Sequence, residues 1–188
     1  PVRTTTVSGT TFAQETPWYY LRIGNERYRI SSNRNNPFIT LGGPNNMSSD
    51  ENFWCFEGNE TDGYKIYNMN AGTKLALAAP TQMLGDSGAE SYAILKDADN
   101  PGEGYTNRWD ITASSNIDGA YYIAEHGIAA NKLNNRGRKL AFWNGGADAG
   151  SSISIVAQVA LEKATATIDL TNGAFAATTG STTYYKLW

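Results

Sequence analysis

Cysteine is nearly absent. Cys55 is alone in a chain of 188 residues, so no internal disulfide framework holds the fold. Set between Trp54 and Phe56, it reads as an inert small side chain. Histidine is just as scarce. His126, preceded by Glu125, has no nucleophile or base near it in sequence, so it makes no triad and reads as a surface residue. No Cys/His cluster shows metal-ligand spacing, and no cofactor or metal is expected. No apolar run approaches the roughly 18 residues of a membrane span. Lys and Arg number 15 against 18 Asp and Glu, a net charge of −3, and they are scattered, so the basic face that nucleic-acid binding wants is missing. Helical periodicity is missing too; residues 158–164 make a helical turn at most. The chain opens at Pro1 without a signal-peptide pattern, as expected of a mature or trimmed chain or of a cytosolic one.

What is present suits short strands joined by turns. Hydrophobic residues make up 40% of the chain and aromatics 12%, with 19 glycines and many Asn, Ser and Thr. One short phrase recurs, a tyrosine with an apolar residue two places on. It appears as Tyr19-Tyr20-Leu21-Arg22-Ile23, Tyr64-Lys65-Ile66-Tyr67-Asn68 and Tyr121-Tyr122-Ile123-Ala124. Each copy is answered downstream by a second phrase, Asn52 to Phe56, Asn107 to Ile111 and Ser152 to Val156. The spans from opening tyrosine to closing core position are about 35, 45 and 32 residues. Units this small cannot bury a core alone, which argues for repeat architecture.

Taken in order, residues 1–16 are Thr-rich and offer a short strand through Val7 and Phe12. The first unit has strands at 18–23, 28–30, 38–41 and 52–57, with Gly24-Asn25 as a hairpin turn. The second has strands at 64–67, 74–78, 91–95 and 108–112, with a loop over 80–88 and an acidic excursion over 97–106. The third has strands at 120–124, 129–133, 139–143 and 152–156. Four short strands three times over predict an all-β fold, a β-trefoil with pseudo-threefold symmetry. Trp54, Trp109 and Ile153 are then equivalent buried positions, with Phe56, Ile111 and Ile155 inward two residues later. A β-sandwich is the rival architecture. The domain itself is expected over residues 17–158. Residues 159–188 exceed the trefoil count. Thr165 to Leu170 alternates like a strand, and the segment is expected either to pack back on the domain or to begin a further, truncated one.

These residues resemble the ricin-type β-trefoil lectin family. Ala71 to Leu77 is similar to its Gly…Leu-Asp-Val portion. Asn52-Phe53-Trp54 and Asn107-Arg108-Trp109 are similar to its closing Gln-x-Trp, with Asn for Gln. Leu140 to Gly145 looks like the strand that carries the sugar-stacking Trp. The resemblance covers roughly residues 17–158. It implies sugar binding through an Asp in the Leu-Asp-Val position, a stacking aromatic and an Asn before the closing motif. An acceptor of that kind holds adjacent hydroxyls, and the aromatic covers the apolar face of a pyranose. This sequence departs from the pattern. The Asp position falls on Arg29 and Ala76 in the first two units, where the stacking position is Leu41 and Leu95. In the third it falls on Asn134, with Phe142 or Trp143 as the aromatic and Ser151 near the final Asn.

Site residues are therefore expected at Asn134, Trp143, Asn144 and Asp148, with a glycan or oligosaccharide as ligand. Phe142 and Trp143 point to opposite faces of a strand, so one of them lies outside or at a rim. Asn131, Asn134, Arg136 and Arg138 alternatively read as an ordinary solvated loop. Acidic pairs such as Asp97/Asp99 and Asp86/Glu90 sit among turn residues, and no catalytic site is expected. The resemblance implies a non-catalytic carbohydrate-binding module, of the kind attached to bacterial glycoside hydrolases, in a secreted, periplasmic or cell-surface protein. The alternative is a trefoil that serves as a protein-interaction or inhibitor domain. A glycosidase fragment with its own activity is a third reading.

Overall fold

The computed structural model describes residues 6–7, 10–11, 18–33, 36–43, 49–81, 92–144 and 148–157. The chain divides into two compact units, Pro1–Gln158 and Val159–Trp188. The second unit, with the expected helical turn, strand and packing-back of the tail, lies outside the described residues.

The first unit is all-β. Thr6–Val7 (β1) and Thr10–Thr11 (β2) form a small ladder of their own. The remaining strands are Tyr19–Ile23 (β3), Tyr28–Asn33 (β4), Asn36–Gly42 (β5), Phe53–Asn59 (β6), Gly63–Asn68 (β7), Leu75–Pro80 (β8), Ile94–Asp97 (β9), Tyr105–Thr106 (β10), Trp109–Ala113 (β11), Tyr121–Glu125 (β12), Ile128–Arg136 (β13), Lys139–Trp143 (β14) and Ile153–Ala157 (β15). Six of them close on themselves. β3 pairs with β6, β6 with β7, β7 with β11, β11 with β12, β12 with β15, and β15 returns to β3. Closure removes the exposed strand edges that an open sheet must protect. The hairpins β4–β5, β8–β9 and β13–β14 join each other through Thr40↔Lys139, Phe38↔Ile94 and the bridge Tyr92↔Ala141. Among the described residues, face-to-face sheets, the sandwich alternative, do not occur. Among the described residues no helix is long and apolar enough to cross a membrane.

The recurring tyrosines explain the closure. Tyr19, Tyr64 and Tyr121 are buried, and so are Leu21, Ile66 and Ile123 two places on, as a period-2 strand demands. Trp54, Trp109 and Ile153 are all fully buried. The Trp54 indole donates to the Ile30 carbonyl at 2.8 Å and the Trp109 indole to the Leu77 carbonyl at 3.1 Å. A buried indole N–H needs such a partner. In both cases the acceptor belongs to the hairpin that caps the barrel, so one bond ties cap to wall. Phe56 and Ile111 are buried two residues along, and Ile155 packs half-buried against the same cluster.

The structure departs from the sequence reading in places. The 97–106 excursion holds a short strand, β10, which pairs with the end of β8 through Tyr105↔Pro80 and Thr106↔Ala79. The reversal before it uses Gly102 and Gly104, both at positive φ, where a Cβ would be strained. β9 starts at Ile94, later than expected, because its ladder with β8 runs from Ile94 to Asp97. Tyr92 is drawn off instead to bridge Ala141. His126 is no bare surface group; it is half-buried, with Nδ1 at 2.6 Å from Asp110 Oδ1. Cys55 is fully buried, in a satellite cluster with Tyr67, Ala76 and Ala98.

Candidate functional site

The third hairpin turns through Gly137 and Arg138, both at positive φ, with the Asn135 side chain accepting from the Arg138 amide at 3.0 Å. Two positive-φ residues match the right-handed twist of the flanking strands. The register pairs Lys132 with Trp143, Leu133 with Phe142, Asn134 with Ala141, Asn135 with Leu140 and Arg136 with Lys139. Leu133, Leu140 and Phe142 enter the core, and Phe142 packs on Trp109 with ring centroids 5.8 Å apart. Alternation puts Lys132, Asn134 and Arg136 on the opposite face, together with Trp143, Ala141 and Lys139.

The four expected site residues divide into two pairs. Trp143 is half-buried at the end of β14, and Asn144 beside it is exposed. The Arg136 guanidinium lies over the Trp143 ring at 4.3 Å. Asn134 is two residues along the same face, about 7 Å at strand rise. It is buried, and its amide donates to Asp148 Oδ1 at 3.1 Å and to Ser151 Oγ at 2.8 Å. Asp148 is exposed and caps the short 3-10 turn Ala149–Ser151, accepting from the Ser151 amide at 2.8 Å. Asn134 thus holds the turn that carries Asp148 against the strand.

The ladders also correct one alignment. Ile30 faces Leu41, Leu77 faces Leu95 and Leu133 faces Phe142, all at the same level of the three hairpins. The residue before each is Arg29, Ala76 and Lys132. Lys132, and not Asn134, therefore occupies the position that the resemblance gives to the Asp. Asn134 is level with Ser31 and Ala78, which are also buried. The phrase Leu133-Asn134 imitates Leu-Asp, but the β12–β13 ladder shifts register at Ala124/Glu125 and upsets counting along the chain.

The matching places on the other hairpins are filled. The Arg29 side chain bonds Asn52 Oδ1 at 2.8 Å and the Gly43 carbonyl. Ala76 is fully buried in the satellite cluster, and its partner Lys96 lies over the Tyr105 ring at 3.9 Å. Asn52 and Asn107, aligned with the family's Gln, are structural as well: Asn52 Oδ1 accepts from Arg29, and the Asn107 amide donates to the Asp97 and Ala98 carbonyls. Ser151, near the family's final Asn, accepts from Asn134 on Oγ.

An open cleft of about 700 Å³ lies elsewhere, lined by Glu57, Lys65, Tyr67, Asp99, Arg108 and His126 among others. Its acids are engaged: Glu57 accepts from the Tyr67 hydroxyl at 2.6 Å, and Asp99 pairs with Lys65 at 3.1 Å. Burial, then the Glu57 hydrogen bond and charge, push the Tyr67 phenol well above its ordinary value of 10.0. Asp97 goes the other way, held below 3.8 by the backbone amides of Asn100 and Asp99 that it accepts. Among the described residues no group of three His, Cys, Asp or Glu is placed to hold a metal.

No family model matches the chain, and no curated protein sequence matches it. Solved structures do. The GlcNAcα1-4Gal releasing endo-β-galactosidase from Clostridium perfringens aligns with a TM-score of 0.59 at 12% identity, over 76% of this chain and 32% of that one. The chain thus spans about a third of that enzyme's length. The BEL β-trefoil aligns with a TM-score of 0.59 at 14% identity, over 81% of this chain and 100% of that one. SeviL bound to asialo-GM1 saccharide aligns at 0.54 and 13% identity, over 77% and 99%. At these identities the likeness concerns the fold: an all-β closed sheet of the kind found in solved β-trefoils.

Proposed function

We propose that residues 17–158 form a β-trefoil of three four-stranded repeats that acts as a non-catalytic carbohydrate-binding module. The observation that carries the reading is Trp143, a half-buried indole at the outward edge of the third hairpin. Exposed Asn144 follows it, and exposed Asp148 stands on a turn that Asn134 anchors. An aromatic edge with a few polar groups around it suits one or two sugar rings. In this reading Trp143 is the platform, Asn144 and Asp148 contact hydroxyls, and Asn134 is a positioning residue. The saccharide in the SeviL structure supports the reading by fold analogy. The endo-β-galactosidase, of which this chain spans about a third, supports a module attached to a glycoside hydrolase in the same way.

A glycan array of the purified chain, followed by titration of the hits, tests this. A shallow site should bind with a Kd near millimolar, about −4 kcal/mol. Trp143→Ala should abolish binding and leave the thermal midpoint nearly unchanged, because the ring is not part of the buried cluster. A large drop in midpoint would make Trp143 a structural residue and remove the platform. Aryl glycosides should not be hydrolysed; turnover lost on mutating a single carboxylate would make the chain an enzyme. The second reading, a protein-interaction or inhibitor trefoil, draws on Arg29, Ala76 and Lys132 standing where the family has Asp. An empty array would favour it.

A further inference from the structure

We propose that the outward face of β13–β14 takes an anionic saccharide, one carrying a carboxylate or sulfate. Lys132, directly across the ladder from Trp143, meets the acidic group, Trp143 meets the ring, and Lys139 at the other end of the hairpin adds to the local positive field. The inference rests on the carbohydrate-binding reading and specifies its ligand class.

The first ground is the chemistry of Lys132. It stands directly across from Trp143. An ammonium has three donors and no acceptor, so it cannot collect the hydroxyl protons of a neutral sugar as a carboxylate does. It can pair with an anion. The nearby carboxylate, Asp148, accepts two N–H donors on Oδ1, so its contact with a hydroxyl is through Oδ2.

The second ground is how the cations are held. Lys132 Nζ lies 5.6 Å from the centre of the Tyr122 ring, and the Arg136 guanidinium lies 4.3 Å from that of Trp143. Lys139 Nζ lies 4.8 Å from the centre of the Phe38 ring and 5.2 Å from that of Tyr92. Aromatic faces orient the Lys132 and Lys139 ammonium groups without neutralising them. The ion pairs found among the described residues are Arg22–Glu26, Lys65–Asp99 and His126–Asp110, and none involves Lys132 or Lys139.

The third ground is local charge. Residues 126–147 contain no Asp or Glu but include Lys132, Arg136, Arg138 and Lys139, in a chain whose net charge is −3. Four of the chain's 15 Lys and Arg lie on the hairpin that also carries the indole, in a window flanked by Glu125 and Asp148. A cationic stripe beside an aromatic edge on an otherwise acidic molecule fits an acidic sugar better than a long polyanion, which would meet repulsion beyond the patch.

Calorimetry on the full chain tests this with an oligogalacturonide as carboxylate arm, its methyl ester as neutral control, and a sulfated galactan with its desulfated form as sulfate arm. At least one acidic arm should bind about tenfold tighter than its neutral counterpart, and the preference should fade as salt rises. Lys132→Gln should remove most of that preference and Lys132→Arg should restore it, with thermal midpoints compared to show that each variant folds. Lys139→Gln, at the other end of the stripe, should weaken it further. Equal binding of acidic and neutral forms, still dependent on Trp143, would overturn this inference and leave the carbohydrate-binding reading standing. Failure of every saccharide to bind would overturn both. Duplex DNA binding as tightly at the same salt would overturn the inference by showing that charge alone is read.

Discussion

The Tyr67 hydroxyl donates to Glu57 Oε2 at 2.6 Å, on a residue that is nearly buried. Ionising it would expel a proton from a desolvated site next to a carboxylate, so its folded pKa stands well above 10.0. The unfolded phenol titrates near its ordinary value. A raised folded pKa contributes stability that is fully present below about pH 10 and is lost as pH climbs toward the folded value. Denaturant midpoints measured from pH 8 to 11 should therefore fall at the alkaline end, and Tyr67→Phe should flatten that fall. An identical alkaline slope in the variant would assign the effect to other groups. Lys132 makes the complementary point at this scale. Its residue type was visible in the sequence from the start, but its level beside Trp143 depends on a ladder whose register shifts one strand earlier.

Among the elements, two glycines at positive φ illustrate different constraints. Gly137 sits at φ 62 in the β13–β14 turn, and a Cβ built there meets nothing within 4 Å. Gly137→Ala should cost only the backbone strain of the left-handed region, about 1–2 kcal/mol. Gly58 sits at φ 120 in β6, and a Cβ there would stand 2.4 Å from the Gly63 carbonyl oxygen of β7. Backbone cannot yield as a side chain can, so Gly58→Ala should open the β6–β7 ladder and cost more than about 2 kcal/mol. Urea denaturation of the two variants checks the order. The wrong order would mean that the β6–β7 ladder relaxes freely. Of the strands themselves, β3 to β9 and β11 to β15 were legible from alternation and turn residues. β10 was not, because two residues pairing with the end of β8 carry no period to detect.

For the molecule as a whole, the ring of six strands and the three linked hairpins share one core, and Trp109 is where wall and cap meet. It is fully buried, donates to the Leu77 carbonyl and packs on Phe142. Trp109→Ala should cost roughly 3–5 kcal/mol, through lost contacts and a cavity that neighbours from two elements cannot close. A loss under about 1 kcal/mol, read by chemical denaturation, would show that the indole is not part of that core. By itself the sequence determined most of the strands and their inward faces, the buried Trp54, Trp109 and Ile153 among them, because the period of two is a local property of each segment. Only the tertiary structure decided which strands meet, which side chains lie level across the hairpins, and that Asn134 is buried under the turn bearing Asp148 while Lys132 stands beside Trp143. Those relations depend on register between strands far apart in the chain, and a shift of one residue in a ladder moves every side chain to the other face without changing a letter of the sequence.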